Sequence, residues 1–287
     1  MLVAAAPGSS LPDRAGRRGE IEDAEICPPK QLERWNCYLV ISWKAKTMYS
    51  FNIGDSLEFM KSLKDGSVSA TITDPPYGIG ADANPIRGKS THHKTNWDVA
   101  IPKSEYFSEI FRVSKKICIW GGNYFTEYLP PRMGWIVWDK GQREFSLADF
   151  ELCWTSENKA GRIVNHPRSK SLAEGNFHPT QKPLKLIYKC IQFLGLKEGD
   201  TVLDPFMGSA STGIACLKMN INFIGVERDP IYFEIAKKRV EQAVLQPSLL
   251  TPANTACSGR LDSSASQRSF ITDGELPSKA RGATRRR

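Results

Sequence analysis

The chain has 287 residues, and its 39 Lys and Arg against 31 Asp and Glu give a formal net charge of +8. This length allows one large domain or two small ones, and the positive charge favours an anionic partner, of which nucleic acid is the most common. Seven scattered cysteines without a C-x-x-C pair predict a reducing compartment and no metal site. No apolar run reaches the roughly 18 residues of a membrane span. We therefore expect a cytosolic protein.

The predicted elements fall between two polar ends. Residues 1–47 predict a poorly structured N-terminal extension, and residues 246–287 predict a disordered basic tail. Residues 48–245 alternate short apolar runs with amphipathic segments, which is typical of an α/β domain with a mostly parallel sheet flanked by helices. In chain order we predict helix 55–66, strand 68–73, helix 102–115, strands 116–121, 134–139 and 150–155, helix 183–196, strand 201–205, helix 209–220, strand 222–227 and helix 230–244.

Three acids stand at the ends of predicted strands: Asp74, Asp204 and Glu227. Ligands of open parallel sheets bind at the carboxyl ends of the strands, so the three acids predict one ligand site. Small residues at Gly208 and Ser209 let the backbone approach a ligand at a helix N-terminus, and Glu227 is placed to accept hydrogen bonds from ribose hydroxyls. This pattern favours an adenosine-type ligand, although an ordinary crossover turn also needs small residues.

The stretch "TDPPY" predicts a second function at the same edge. Pro75 and Pro76 stiffen the backbone and remove two amide donors, so that their carbonyls and the Asp74 carboxylate form a rigid set of acceptors. Such a set suits an amino group, and Tyr77 offers a flat face on which a ring can stack. The alternative is a loop stop with a tyrosine at its rim.

Four motifs in order, "ITDPPYGIG", "GNFHPTQKPLKLIYKCI", "DPFMGSAST" and "GVERDPIYFEIAKKRV", resemble those of the DNA amino-methyltransferases. Because the catalytic motif precedes the cofactor loop, the chain is similar to the permuted β group of that family. The resemblance implies a Rossmann-like methyltransferase fold, S-adenosylmethionine as methyl donor, and transfer to the exocyclic N6 amine of a flipped-out adenine. It also implies double-stranded DNA as partner, a possible homodimer, a place in restriction-modification and association with the nucleoid.

The resemblance assigns roles residue by residue. Asp74 and the Pro75 carbonyl receive the amine hydrogens, Pro76 stiffens the turn, and Tyr77 stacks on the base. The cofactor is expected to contact Asp55, Thr180, Lys182, Asp204, Pro205, Phe206, Gly208, Ser209 and Glu227. For Lys182 the alternative is a solvated helix-start lysine, and for Asp55 it is a helix N-cap.

One position departs from the family pattern, because Ala210 stands where the cofactor loop has its last glycine. Two other functions stay open: a cytosine-N4 methyltransferase, and a catalytically weak protein that binds S-adenosylmethionine and DNA. An aspartate at the first position of the D-P-P-Y motif favours adenine, since serine is more common there in cytosine enzymes. Target recognition is expected from the basic loops near 79–100 and 156–177.

Overall fold

The structure is a computed structural model that describes residues 2–5, 37–42, 47–80, 98–143, 148–167, 169–170 and 181–245. The tail predicted at 246–287, Thr180 and most of the 79–100 loop lie outside the described residues.

One mixed sheet organises the domain. Its strands are β1 (Leu2–Ala5), β2 (Tyr38–Ser42), β3 (Thr47–Ile53), β4 (Ala70–Thr73), β5 (Ile117–Trp120), β6 (Trp135–Asp139), β7 (Phe150–Thr155), β8 (Arg162–Asn165), β9 (Thr201–Asp204) and β10 (Asn222–Glu227). They lie in the order β1-β2-β3-β10-β9-β4-β5-β7-β6-β8. The five strands from β3 to β5 run parallel, whereas β7 is antiparallel to both β5 and β6.

Helices cover both faces of the sheet. They are α1 (Ser56–Lys61), α2 (Ser104–Val113), α3 (Leu184–Leu194), α4 (Ser211–Lys218) and α5 (Pro230–Leu245). One core cluster joins the sheet to α3, α4 and α5, and a second joins it to α1 and α2. Because parallel strands are buried on both faces, β4, β5 and β9 are short runs in which every residue is buried. The predicted α/β, Rossmann-like fold class is confirmed.

Four strands, β1, β2, β3 and β8, do not follow from the predicted pattern. Strand β3 carries buried polar residues among its aromatic ones, and the Asn52 amide nitrogen donates to Ser50 Oγ at 2.9 Å and to the Gly225 carbonyl at 3.1 Å. Strand β8 is only four residues long and lies in a segment that we interpreted as loop. Strand β2 lies inside the segment expected to be poorly structured, yet it pairs with β3 along five residues. We therefore propose that the domain begins before β2.

Of the helices in the described ranges, none combines the length and the apolar character that crossing a membrane requires.

Candidate active site

A cavity of about 760 Å³ lies at the carboxyl ends of β3, β4, β9 and β10. Right-handed crossovers between parallel strands bring these ends, and the acids that follow them, to one edge of the sheet. The predicted site residues that line the cavity are Asp55, Asp74, Pro76, Lys182, Asp204, Pro205, Phe206, Gly208, Ser209 and Glu227. Pro75 and Tyr77 are not part of this lining, and Thr180 is not described.

Asp204 ties the loop after β9 to the neighbouring strand β4. Its Oδ1 accepts hydrogen bonds from Thr73 Oγ1 at 2.8 Å and from the Phe206 amide at 3.2 Å. Burial raises the pKa of Asp204 to about 6, although these hydrogen bonds and one from Thr212 oppose the rise. Asp204 therefore shapes the loop, as its place at the strand end predicts.

Glu227 links the ends of β9 and β10. Its Oε2 accepts a hydrogen bond from the Gly208 amide at 2.8 Å, and its Oε1 accepts one from the Asp229 amide at 2.8 Å. Burial raises the pKa of Glu227 to about 7, and the amide donors only partly offset it. Each carboxylate oxygen keeps a second lone pair, which is available to a hydroxyl of a ligand in the cavity.

The loop after β9 keeps a left-handed turn despite its alanine. Ala210 immediately precedes α4 and has φ of 60° and ψ of 36°, a conformation that glycine adopts without steric cost. Arg239 of α5 stabilises the turn, because its guanidinium donates to the Ser209 carbonyl and, at 2.8 Å, to Ser209 Oγ. The sequence gives no sign of this arginine, since it lies in an amphipathic helix among other basic residues.

Asp55 lies both at the start of α1 and at the edge of the cavity. It is the N-cap of α1 and accepts a hydrogen bond from the Leu57 amide at 2.8 Å, and it also lines the cavity. Tyr106 of α2 donates its hydroxyl to Asp55 Oδ2 at 3.1 Å. The rings of Tyr106 and Phe206, 5.7 Å apart, form an aromatic wall beside this carboxylate.

Asp74 is held at both carboxylate oxygens. Its Oδ1 accepts the Tyr77 hydroxyl at 2.5 Å, and its Oδ2 lies 2.6 Å from the Lys182 ammonium. Burial raises the pKa of Asp74, and the positive charge of Lys182 opposes the rise. Lys182 is only 5% exposed, so the alternative of a solvated lysine is wrong.

The ring of Tyr77 is fixed from several sides. The Tyr77 and Gly78 amides donate to Asp98 Oδ1 at 2.7 and 2.9 Å, which holds the turn after Pro76. Gly121 has a φ of 71°, and a methyl group there would overlap the Tyr77 ring. The ring of Tyr124 stacks on Tyr77 with centroids 4.8 Å apart and an interplanar angle of 14°. A base that stacks on this face of Tyr77 must therefore displace Tyr124, which is 42% exposed.

Two further charged residues extend the ion pair between Asp74 and Lys182. Glu151 Oε2 lies 3.0 Å from the Lys182 ammonium, and Glu151 Oε1 lies 2.7 Å from the Lys140 ammonium. Burial opposes the ionisation of Glu151, but the two ammonium groups outweigh it and lower its pKa to about 2. Sequence reasoning missed Glu151 because it is a single acid in the strand "FELCWT".

Three thiols that are far apart in the chain meet in the core. The sulfurs of Cys118, Cys153 and Cys190 lie within 4.8 Å of one another. All three are fully buried; burial raises the pKa of Cys118 and Cys153 well above the ordinary thiol value, whereas hydrogen bonds from these two thiols lower the pKa of Cys190 to about 5. The three side chains pack β5, β7 and α3 together in the core.

Comparisons with known proteins point to one activity. Residues 119–238 match a family model described as DNA methylase. The type II methyltransferase M2.DpnII of Streptococcus pneumoniae is 26% identical over 65% of this chain and 87% of its own length. M.HinfI of Haemophilus influenzae is 27% identical over 68% of this chain and 69% of its own length. The solved M1.HpyAVI–SAM complex is 26% identical over 67% of this chain and 99% of its own, with a TM-score of 0.46. Together, the family match and the two methyltransferase relatives support a DNA methyltransferase.

Proposed function

We propose that the protein transfers a methyl group from S-adenosylmethionine to the N6 amine of adenine in DNA. The observation that carries the proposal is the position of Asp74: its carboxylate lines the same cavity as Asp204 and Glu227, from the neighbouring end of β4. An acceptor for an amine and a place for an adenosine-type ligand therefore share one space.

The residues of the cavity fit the proposed cofactor. Glu227 offers carboxylate lone pairs to the ribose hydroxyls, and the wall formed by Tyr106 and Phe206 offers apolar area to an adenine ring beside Asp55. The N-terminus of α3, which follows Lys182, supplies positive potential for a carboxylate group. When bound, S-adenosylmethionine supplies an electrophilic methyl group.

The residues after β4 would act by orientation. The lone pair of an adenine amine is delocalised into its ring, so the amine is a weak nucleophile. Asp74 and the Pro75 carbonyl accept the two amine hydrogens, which favours a tetrahedral nitrogen and stabilises the positive charge that develops on it. Tyr77 holds Asp74 through its hydroxyl and presents its ring to the base once Tyr124 has moved.

DNA is the proposed substrate, and its contact surface includes the loop near 79–100. Val99 and Ala100, the described end of that loop, line the cavity and are exposed. The segment near 156–177 contributes β8 and its basic neighbours. We further propose that the protein is cytoplasmic, belongs to a restriction-modification system and forms a homodimer. Sedimentation velocity tests the dimer.

One experiment tests the activity and the target atom together. The protein is incubated with double-stranded DNA and labelled S-adenosylmethionine, and the DNA is hydrolysed to nucleosides for mass spectrometry. We expect N6-methyladenine. Detection of N4-methylcytosine would show that the protein is a cytosine-N4 methyltransferase. If no methylated nucleoside is found with any of a range of DNA sequences, the proposed activity is wrong. Sequencing of the methylated positions then gives the recognised site.

We expect the affinity for S-adenosylmethionine to fall as the pH decreases through 7. Glu227 accepts ribose hydroxyls as a carboxylate, and its pKa of about 7 means that the free protein must lose a proton to bind below that pH. Between pH 8 and pH 6.5 the dissociation constant should rise about fourfold. At pH 6.5 Asp204, with its pKa of about 6, is still mostly ionised.

Isothermal titration calorimetry measures this dependence, and Glu227→Gln is the control. The amide keeps the shape of the side chain but does not titrate, so the variant should bind more weakly with a flat profile over the same range. An equal slope in the variant would show that another group is responsible.

A further inference from the structure

Glu151 lies between Lys182, which pairs with Asp74, and a second lysine, Lys140. It lies on β7, opposite Trp138 of β6, and its two oxygens reach Lys182 at 3.0 Å and Lys140 at 2.7 Å. Lys182 in turn lies 2.6 Å from Asp74, so the four side chains form a row of alternating charge. No role follows for Glu151 from the motifs, since it belongs to none of them.

The nearby Lys182 ammonium affects how much negative charge Asp74 can offer to an amine. The proposed reaction needs a negative Asp74, because positive charge develops on the amine nitrogen. An ammonium 2.6 Å away and 5% exposed would largely cancel that charge if Asp74 were its only partner. Lys182 has two carboxylate partners, however, so its positive charge is shared between Asp74 and Glu151 and does not pair with Asp74 alone.

We propose that Glu151 is a positioning residue that holds the Lys182 ammonium between two carboxylates and so keeps Asp74 effective as an acceptor. This inference rests on the proposed methyl transfer. Glu151 is not part of the cavity lining and acts through Lys182. Lys140 lies at the other oxygen of Glu151 and, together with Lys182, lowers the pKa of Glu151 to about 2.

The charged and titratable groups that face Asp74 come from four elements. They are Tyr77 of its own turn, Lys182 at the start of α3, Glu151 of β7 and Asp204 of β9. The positive charge of Lys182 lowers the pKa of Asp74, and the negative charge of Glu151 raises it. Loss of charge at Glu151 should therefore lower the pKa of Asp74, and loss of charge at Lys140 should raise it.

The test compares Glu151→Gln with wild type by single-turnover methyl transfer across a range of pH. In Glu151→Gln we expect the rate constant to fall about ten- to a hundredfold while S-adenosylmethionine affinity changes little. The acid limb of the profile should move to lower pH. Glu109→Gln, which neutralises a similarly buried carboxylate paired with Arg112 within α2 and outside the cavity lining, is the matched control and should behave as wild type.

A double-mutant cycle tests the route of the effect. If Glu151 acts only through Lys182, Glu151→Gln should add little to the loss already caused by Lys182→Met. Lys140→Gln supplies a second variant in case Glu151→Gln does not fold, and its acid limb should move to higher pH. Independent effects in the cycle, or acid limbs that do not move in opposite directions, would overturn the inference.

A measurement on the protein alone separates this inference from the proposed activity. Carbon-13 NMR of labelled aspartate carboxyl groups follows the titration of Asp74 without cofactor or DNA, with Asp74→Asn used for assignment. We expect a lower pKa of Asp74 in Glu151→Gln than in wild type. If wild type transfers no methyl group, the proposed function fails; if the Asp74 titration is the same in both proteins, the role of Glu151 fails.

Discussion

Replacing Asp74 with Asn should abolish methyl transfer and leave S-adenosylmethionine binding nearly unchanged. Asn keeps the size of the side chain but replaces one acceptor oxygen with an amide donor, which cannot accept an amine hydrogen. It also removes the negative charge that stabilises the developing positive charge on the amine. Loss of one such group at a reacting centre lowers the rate about 10²–10³-fold, and the added repulsion between the new amide and Lys182 should increase the loss.

The binding of S-adenosylmethionine should survive because its expected contacts come from other strands. Asp204 and Glu227 follow β9 and β10, and their hydrogen bonds to Thr73, Gly208 and Asp229 do not involve Asp74. Single-turnover kinetics with labelled cofactor measure the rate, and calorimetry measures the affinity. Asp65→Asn, which alters an 81% exposed carboxylate paired with Arg112, is the control for an aspartate remote from the cavity. A rate of Asp74→Asn near that of the control would remove Asp74 from the proposed chemistry.

The central strands and the edge of the sheet that carries the site follow from the sequence. Strands β4, β9 and β10 are short apolar runs, and an acid is either the last residue of each strand or the residue after it. Parallel pairing brings these strand ends to one edge of the sheet and does not depend on the conformation of the connecting loops. The placement of Asp74, Asp204 and Glu227 around one cavity could therefore be predicted from three local patterns.

The partners of those acids could not be predicted in the same way. Glu151 and Lys182 are 31 residues apart and meet only because β7 runs antiparallel beside β5, under the start of α3. Asp98 reaches the turn after Pro76 from the end of a polar loop, and Tyr124 reaches Tyr77 from the short helix after β5. Each contact depends on how distant segments pack, and a single charged or aromatic residue in a strand or loop carries no local sign of it.

Removing residues 1–47 should destabilise the domain by several kcal/mol, whereas removing only residues 1–36, which takes away the four-residue edge strand β1, should destabilise it much less. Strand β2 covers the edge of β3 and buries Tyr38 and Val40, which are 3% and 0% exposed. Fully burying side chains of this kind contributes roughly 1.5–3 kcal/mol each. The Tyr38 ring also lies 6.0 Å from that of Phe51, and its hydroxyl donates to Glu241 of α5 at 3.2 Å.

Chains of residues 37–245 and 48–245 are compared, with urea denaturation to measure stability and calorimetry to measure S-adenosylmethionine affinity. The shorter chain exposes the backbone donors and acceptors of β3, so we expect a lower midpoint, a lower free energy of unfolding and self-association through the bare strand. Because β3 leads directly into Asp55, the shorter chain should also bind S-adenosylmethionine more weakly, even where it is folded. Equal stability and affinity in the two chains would place the start of the domain at Met48, where the sequence motifs begin, and would make β2 an appendage that the site does not need.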